Sequence, residues 1–196
     1  MFTGIIEATG RILKIDKNAD DSRFTFDTGK LSLSDMKLGD SISVNGACLS
    51  IIEKNENSFS ADLSGETLGL TTFSSLKAGS CINLEKAMML SDRINGHMVS
   101  GHIDGVGKII AKQDEGRSIR FTIEFPAELN KFISKKGSVT VDGVSLTIND
   151  VNNNVFDVNI IPHTLSETIF SEYEIDTKVN LEVDQIARYL DKLINK

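Results

Sequence analysis

The amino-acid sequence predicts an all-β protein made of two tandem homologous six-stranded antiparallel Greek-key barrels, followed by a C-terminal α-helix. Three observations lead to this fold class. The 196-residue chain repeats itself once over most of its length, and each repeat consists of short alternating segments separated by turn residues. A helical apolar stripe lies outside the repeat.

The repeat is visible when the sequence is shifted by 97 positions. Residues 1–87 then align with residues 98–184 without a gap and share 24 identities. SISVNGACLSI falls on SVTVDGVSLTI, and INLE falls on VNLE. Because the spacing between matched segments is preserved, each half is a complete domain. We predict a first barrel with its connector over residues 1–97, a second barrel over 98–184 and a helix over 185–196.

The strands of each copy are predicted from alternation and from turn chemistry. RFTFDTG and SIRFTIEF alternate apolar with polar residues, as half-buried strands do. The pairs Asn45-Gly46 and Asp142-Gly143 predict hairpin turns, because these residue types accept positive φ angles. Roughly six such strands per copy indicate a small closed barrel. LSLSDMKLGD and PAELNKFISKKG, the second with Pro126 near its start, are predicted to form short helices.

The tail DQIARYLDKLINK has a helical pattern. Its apolar residues follow one another at i, i+3, i+4, i+7 and i+8 and therefore form one stripe. The stripe either docks on the protein's own barrels or mediates self-association, and the residues alone leave both readings open. The stripe consists of Ile186, Tyr189, Leu190, Leu193 and Ile194.

Composition excludes several functional classes. The net charge of −7 and the pI near 5.0 argue against a protein that binds nucleic acid through its phosphates. No apolar run approaches the roughly 18 residues of a membrane span, and no leader precedes the repeat. Cys48 and Cys81 are read as free thiols in a reducing compartment, so we expect a cytoplasmic protein. His97, His102 and His163 lack metal-site spacing, and no metal is predicted.

The two copies differ at reactive positions beside turns. Matched polar residues near turns favour a shared kind of ligand site, so the sequence predicts two related small-molecule sites, one per copy. At these positions, however, one copy carries a thiol and a carboxylate while the other carries hydroxyls, imidazole and ammonium. The exchanged pairs are Cys48 and Ser145, Ser50 and Thr147, Ile5 and His102, Glu66 and His163, and Gly39 and Lys136.

Each of these residues also has a plainer interpretation. A cysteine in a strand is usually a small buried hydrophobe, a lone histidine is more often structural than catalytic, and Lys136 adjoins another lysine on a surface segment. His97, in the connector, is interpreted as structural. For Cys81 the structural interpretation is preferred, whereas for Cys48 and His102 both interpretations stay open.

The motifs MFTGIIE, NGACLS, GHMVSGHIDGVG, DGVSLTIN and IPHTL together resemble the riboflavin synthase family of the α-chain type, and the resemblance covers nearly the whole chain. It implies dismutation of two 6,7-dimethyl-8-ribityllumazine molecules to riboflavin and 5-amino-6-ribitylaminouracil. It further implies no cofactor and no metal. It also implies a homotrimer formed through the C-terminal helices, with each active site between subunits.

The resemblance also implies site residues. His102, Ser145 and Thr147 would transfer protons, Cys48 would assist nucleophilic addition, and Phe2 would close over a ring. One lumazine would contact Gly4, Ile5, Ile6, Lys136, Ser145, Leu146, Thr147, Asn159, Ile160, Ile161, Pro162, His163 and Thr164. The other would contact Ser41, Cys48, Leu49, Ser50, Asp62, Leu63, Ser64, Gly65, Glu66, Thr67, Gly101, His102 and Ile103.

The main alternative is a non-catalytic antenna protein of the same fold that binds one lumazine or flavin. Such a protein is expected to lose the reactive residues of one site, and here Cys48, His102 and Lys136 are all present. An FAD-dependent reductase is disfavoured because no nicotinamide-binding α/β domain follows the barrels.

Overall fold

The computed structural model describes residues 1–18 and 21–194 and confirms the predicted fold class. The first copy contains β1 (Ala8–Asn18), β2 (Asp21–Asp27), β3 (Ser41–Val44), β4 (Ala47–Ser50), β5 (Glu53–Lys54), β6 (Ser58–Leu63), α1 (Gly65–Leu70) and β7 (Cys81–Lys86). The second contains β8 (Gly105–Glu115), β9 (Ser118–Glu124), β10 (Ser138–Val141), β11 (Val144–Asn152), β12 (Val155–Ile160), α2 (Pro162–Glu167) and β13 (Lys178–Val183), followed by α3 (Gln185–Ile194).

The second copy is a closed antiparallel barrel with strand order β10-β11-β12-β9-β8-β13. Strand β12 returns to pair with β9, and β13 lies between β8 and β10, so the connections follow the Greek-key pattern. The inward faces of these strands form one apolar core, which includes Phe121, Phe156 and Phe170. Alternation of buried and half-buried residues along β12 places this core on one face of the strand.

The first copy has the same strand order with one interruption. Its sheet runs β4-β3-β7-β1-β2-β6-β5. Strands β4 and β5 occupy the positions that the single strand β11 occupies in the second copy, and the break falls at Ile51 and Ile52. Strand β11 has an irregularity of register at the matching place, between Ile148 and Asp150. The same irregularity is therefore a full interruption in one copy and a bulge in the other.

The prediction of short helices at LSLSDMKLGD and PAELNKFISKKG is wrong. Residues 31–40 form turns, and the second segment contains only a 3-10 turn over Ala127–Leu129. Both segments are largely irregular, yet they bury apolar side chains in the core of their own copy, among them Leu33 and Leu129. The predicted C-terminal helix is confirmed over Gln185–Ile194, and residues 195 and 196 lie outside the described residues.

Two buried asparagines hold the copies together across a seam of near two-fold symmetry. Asn83 and Asn180 occupy matching positions and are fully buried. Each amide donates to the hairpin turn of the other copy and accepts an N–H from the other copy's 3-10 turn, so it is satisfied only by the partner copy. The contacts are Asn83 Nδ2 to Asp142 O (3.0 Å), Asn180 Nδ2 to Asn45 O (2.8 Å), Ile169 N to Asn83 Oδ1 (2.9 Å) and Thr72 N to Asn180 Oδ1 (2.7 Å).

The hairpin turns themselves touch at this seam. A Cβ atom on Gly46 would lie 2.8 Å from the nitrogen of Gly143, and a Cβ on Gly143 would lie 2.8 Å from the nitrogen of Gly46. Both glycines have positive φ, as the predicted hairpins require. The close approach therefore demands glycine on both sides of the seam.

Within the part of the chain that the structure describes, no helix has the length and apolar character needed to cross a membrane.

Candidate active site

The segment preceding the first strand of each copy crosses to the opposite copy. We name residues 1–7 arm 1 and residues 98–104 arm 2. The arms pair with each other through Phe2 and Val99: Phe2 N–H donates to Val99 C=O at 2.8 Å, and Val99 N–H donates to Phe2 C=O at 3.0 Å. Because the arms meet at the seam, each one continues onto the other copy's barrel.

Each arm then joins the strand that follows the opposite copy's hairpin turn. Ser145 N–H donates to Gly4 C=O at 2.8 Å, and Cys48 N–H donates to Gly101 C=O at 2.8 Å. Both glycines have positive φ, and a Cβ on either would lie 2.6 Å from the Cβ of the residue opposite. Glycine is therefore required at both positions for backbone geometry and for space.

The residue two positions further along each arm anchors the crossing. Ile6 packs against the core of the second copy, and Ile103 packs against the core of the first. Residues 4–6 thus lie beside 145–147, and residues 101–103 lie beside 48–50. These are two of the groupings that the resemblance implies, and the structure brings both together within a single chain.

Several members of these groupings are exposed at the surface. Ser50 ends β4 and is exposed, with the half-buried Ser41 as its Cα partner on β3. Thr147 is exposed on β11, opposite Ser138 of β10. Lys136 is exposed just before β10 in a positive-φ conformation, and its N–H donates to Ile148 C=O. The hydroxyls of Ser50 and Thr147 are therefore accessible to solvent, whereas Leu49 is buried in the core.

Residues 62–67 and 159–164 run from the end of a strand into a short helix. Ser64 caps α1, because its hydroxyl accepts the N–H of Thr67 at 3.2 Å. Helix α2 begins at Pro162, a residue suited to the first helical turn. Neither of these short helices is predicted from the sequence.

Two side chains in these segments already have protein partners. Asp62 forms a two-pronged ion pair with Arg23, with nitrogen–oxygen distances of 2.8 and 3.0 Å, and the hydrogen bond lowers the pKa of Asp62. The amide of Asn159 donates to Glu115 and Ser118 and accepts from Asn149. A ligand contact from either residue is therefore expected to come from its backbone.

His97 was interpreted from the sequence as a structural residue. In the fold its side chain contacts Ser145, one of the candidate site residues. Its Nδ1 lies 2.8 Å from Ser145 Oγ, and its N–H donates to Thr3 C=O at 3.1 Å. Burial lowers the pKa of His97, which favours the neutral imidazole. A neutral imidazole hydrogen-bonded to a hydroxyl is suited to general base or general acid chemistry. The repeat conceals this contact, because His97 precedes the second copy and has no counterpart in the first.

Three other candidates differ in exposure. His102 is exposed on arm 2, directly after the glycine that contacts Cys48, and Cys48 itself is half-buried. Phe2 is completely buried, and its ring lies close to Gly101, so in the single chain Phe2 stabilises the crossing of the arms. Ile5, the counterpart of His102, is 44% exposed.

A cavity of about 660 Å³ lies between arm 1, residues 35–41 and the connector. Ile5 and Ser41 line it, whereas Cys48 and Ser145 do not. It is bordered by the exposed apolar side chain of Met89 and by the Lys86–Asp35 ion pair. The side chains of Cys48 and Ser145 therefore lie outside this cavity.

The fold and the crossed arms define a class of protein in which a duplicated barrel carries two related ligand sites. The lumazine binding domain model matches residues 3–87 and again residues 100–184. Riboflavin synthase of Photobacterium phosphoreum is 47% identical over 99% of this chain and 89% of that protein, and riboflavin synthase of Bacillus subtilis (strain 168) is 42% identical over 100% and 91%. The structure of LumP complexed with riboflavin has a TM-score of 0.87 at 26% identity, covering 94% of this chain and 100% of that chain.

This chain belongs to the riboflavin synthase family and carries the lumazine binding domain twice. The resemblance that the sequence motifs indicated is thereby confirmed.

Proposed function

We propose that this protein is a riboflavin synthase: a transferase that converts two molecules of 6,7-dimethyl-8-ribityllumazine into riboflavin and 5-amino-6-ribitylaminouracil by moving a four-carbon unit. The observation that carries the proposal is the match to riboflavin synthases at 42–47% identity along essentially the full chain. The crossed arms support it, because they build two similar sites whose reactive side chains differ.

Each copy is proposed to bind one lumazine. The first-copy site consists of residues 48–50 and 62–67 with arm 2, and the second-copy site consists of residues 145–147 and 159–164 with arm 1. Placing two reactants at fixed positions converts a bimolecular step into one that behaves as unimolecular, which lowers the barrier by up to roughly 7–11 kcal/mol. The differing side chains assign one molecule as donor and the other as acceptor.

The residues have separate proposed roles. His97 and Ser145 form the hydrogen-bonded pair that moves a proton at the second-copy site. His102, exposed on arm 2, and Thr147 serve proton transfer, including loss of a proton from the 7-methyl group. Cys48 assists nucleophilic addition at the first-copy site. No metal or separate cofactor takes part in these roles.

A homotrimer with active sites between subunits is proposed for the assembly. Helix α3 is tied to its own barrel by ion pairs, Arg188 with Asp104 at 2.7 Å and Lys131 with Asp191 at 2.5 Å. Its apolar stripe remains exposed, with Tyr189 at 65% and Leu193 at 63% exposure. The exposure of the stripe favours its self-association over docking on the chain's own barrels. A second subunit would also cover exposed candidate side chains such as His102 and Thr147. We propose a cytoplasmic location, consistent with free Cys48 and Cys81.

A binding protein without turnover is the second candidate, because LumP complexed with riboflavin has the same fold. Incubating the purified protein with 6,7-dimethyl-8-ribityllumazine and following riboflavin absorbance separates the two. A riboflavin synthase forms one riboflavin for every two lumazines consumed. Binding without riboflavin formation would contradict the proposal and support the second candidate. Cys48→Ser and His102→Gln, assayed in parallel, test the assigned roles, and near wild-type turnover in both would overturn them.

A further inference from the structure

Two buried glutamates occupy matching positions in the copies and take no part in the proposed chemistry. Glu85 on β7 is 4% exposed, and Glu182 on β13 is 1% exposed. A buried carboxylate is costly unless hydrogen bonds compensate its lost hydration. Each one therefore requires an account of what it binds.

Both carboxylates bind the backbone of an arm. Glu85 accepts Thr3 N–H at 2.7 Å, Thr3 Oγ1–H at 2.8 Å and Gly4 N–H at 3.1 Å. Glu182 accepts the N–H groups of Ser100, Gly101 and His102 at 2.7, 2.9 and 3.1 Å. Consecutive N–H groups that converge on one anion form a small concave binding site for it. Burial raises the pKa of both glutamates, and the hydrogen bonds from the arms oppose that rise.

The same arm residues continue to the other copy. Gly4, held by Glu85 through its N–H, accepts Ser145 N–H through its C=O, and Gly101 does the same between Glu182 and Cys48. Each glutamate is thus linked through one glycine to a reactive residue of the opposite copy. His102, whose own N–H is also held by Glu182, lies directly beyond that glycine.

We infer that Glu85 is a positioning residue for the ligand site of the second copy and that Glu182 is a positioning residue for the ligand site of the first. The inference rests on the proposed function, because it concerns the sites that the proposal defines. It makes a crossed prediction: each glutamate, although it belongs to one barrel, controls ligand affinity at the other. A carboxylate that only stabilised its own barrel would act on its own site, or on both sites equally.

The test requires one functional site at a time. Ser50→Trp is designed to fill the first-copy site and Thr147→Trp the second-copy site, because both hydroxyl residues are exposed and occupy matching positions in the two copies. Glu85→Gln and Glu182→Gln are then introduced into each background in the full chain. Glutamine replaces one acceptor oxygen with an NH₂ group that faces an N–H donor. Riboflavin affinity is measured by fluorescence titration of all four double variants and of both parents.

In the Ser50→Trp background, Glu85→Gln is expected to weaken riboflavin binding about tenfold and Glu182→Gln to change it less than about twofold. In the Thr147→Trp background the two effects exchange. An uncrossed pattern, or equal effects at both sites, overturns the inference. If the wild-type chain binds no riboflavin at all, the proposed function fails instead, and that result is distinct from any pattern among the variants.

Milder variants decide the question if a glutamine variant does not unfold cooperatively in urea. Thr3→Val removes a single hydroxyl donor to Glu85 and leaves the backbone donors in place. Weakened binding confined to the Ser50→Trp background supports the inference, and unchanged binding in that background overturns it. Glu85→Asp, which keeps the charge but shortens the side chain, is expected to retain more affinity than Glu85→Gln.

Discussion

The two copies of the barrel share their backbone contacts and differ in the side chains at their proposed ligand sites. Arm glycine, arm-binding glutamate and seam asparagine occur in both copies at matched positions, with closely similar hydrogen bonds. These contacts involve backbone groups whose geometry is the same in both barrels. The comparison shows that the duplication preserves what fixes the arms, whereas the side chains of the proposed ligand sites have diverged.

Two features occur in the second copy only. The first is the His97–Ser145 hydrogen bond, whose counterpart position in the first copy holds Cys48. The second is a buried carboxylate in the seam: Asp142 accepts Tyr173 Oη–H and Asn180 N–H, whereas the first copy has Asn45 at the matched position. Each feature gives the second copy an ionisable group that the first lacks, and each offers a way to test the comparison.

The largest effect is expected at the His97–Ser145 pair. Ser145→Ala and His97→Asn should each lower kcat by about 10²–10⁴-fold, because each removes one partner of a proton-transferring pair. The double variant should be little worse than either single variant, since the two residues act as a unit. Steady-state kinetics of the three variants check this, and multiplicative losses would show that the residues act independently.

The buried carboxylate of Asp142 predicts a dependence of stability on pH. Burial raises its pKa to about 7, from an ordinary value near 3.8. Since the folded state binds the proton more tightly, the contribution to stability is complete below about pH 4 and is lost as pH rises to about 7, by roughly 4 kcal/mol at most. Asp142→Asn, which reproduces the first copy's residue, should remove that part of the pH dependence.

Urea unfolding of both proteins between pH 4 and 8 measures this difference. The reciprocal variant Asn45→Asp serves as the matched control, because it places a carboxylate at the same point of the first copy. It should introduce a further loss of stability over the same pH range. Parallel pH profiles for the wild type and Asp142→Asn would contradict the assignment.

The close approach of arm 2 to Cys48 on strand β4 is tested by substituting the arm glycine. Gly101→Ala should destabilise the protein by about 3 kcal/mol, because positive φ and collision with Cys48 add together. Gly39→Ala is the matched control: Gly39 also has positive φ, but nothing lies within 4 Å of its added Cβ, so about 1 kcal/mol is expected. Equal losses of unfolding free energy in the two variants, measured with urea, would mean that arm 2 does not closely contact the opposite strand.

The smallest expected effect tests the symmetry of the seam. Asn83→Ala and Asn180→Ala each leave one buried C=O and one buried N–H without a partner, which should cost about 2 kcal/mol. The two losses of unfolding free energy should agree within about 0.5 kcal/mol. A clear inequality would show that the copies do not contribute equally to the seam.

The sequence predicted the features that follow from local pattern. Asn45-Gly46 and Asp142-Gly143 indicated hairpins, and the matched spacing of the two halves indicated two barrels. The failures have physical causes. The segment 31–40 is a loop that buries several apolar residues, and the spacing of these residues imitates helical periodicity. Helices α1 and α2 are only six residues long, which is too short for an apolar periodicity to show, although Ser64 and Pro162 are residues that mark helix starts.

The missed site residues depend on contacts between distant parts of the chain. His97 meets Ser145 across 48 positions, and Glu85 meets Thr3 across 82. No periodicity links such residues, because barrel closure brings them together only after the strands have paired. A matched glutamate in both copies was nevertheless visible in INLE and VNLE, and a charged residue repeated beside a repeated leucine was the available signal.

The central claim is that each copy completes one ligand site with the arm of the other, so that one chain binds two ligands. Isothermal titration of the purified wild-type chain with riboflavin tests it most directly. The account predicts two riboflavin molecules per chain, falling to one in Ser50→Trp and to one in Thr147→Trp. A single riboflavin per wild-type chain, lost in one of these variants and unchanged in the other, would contradict it.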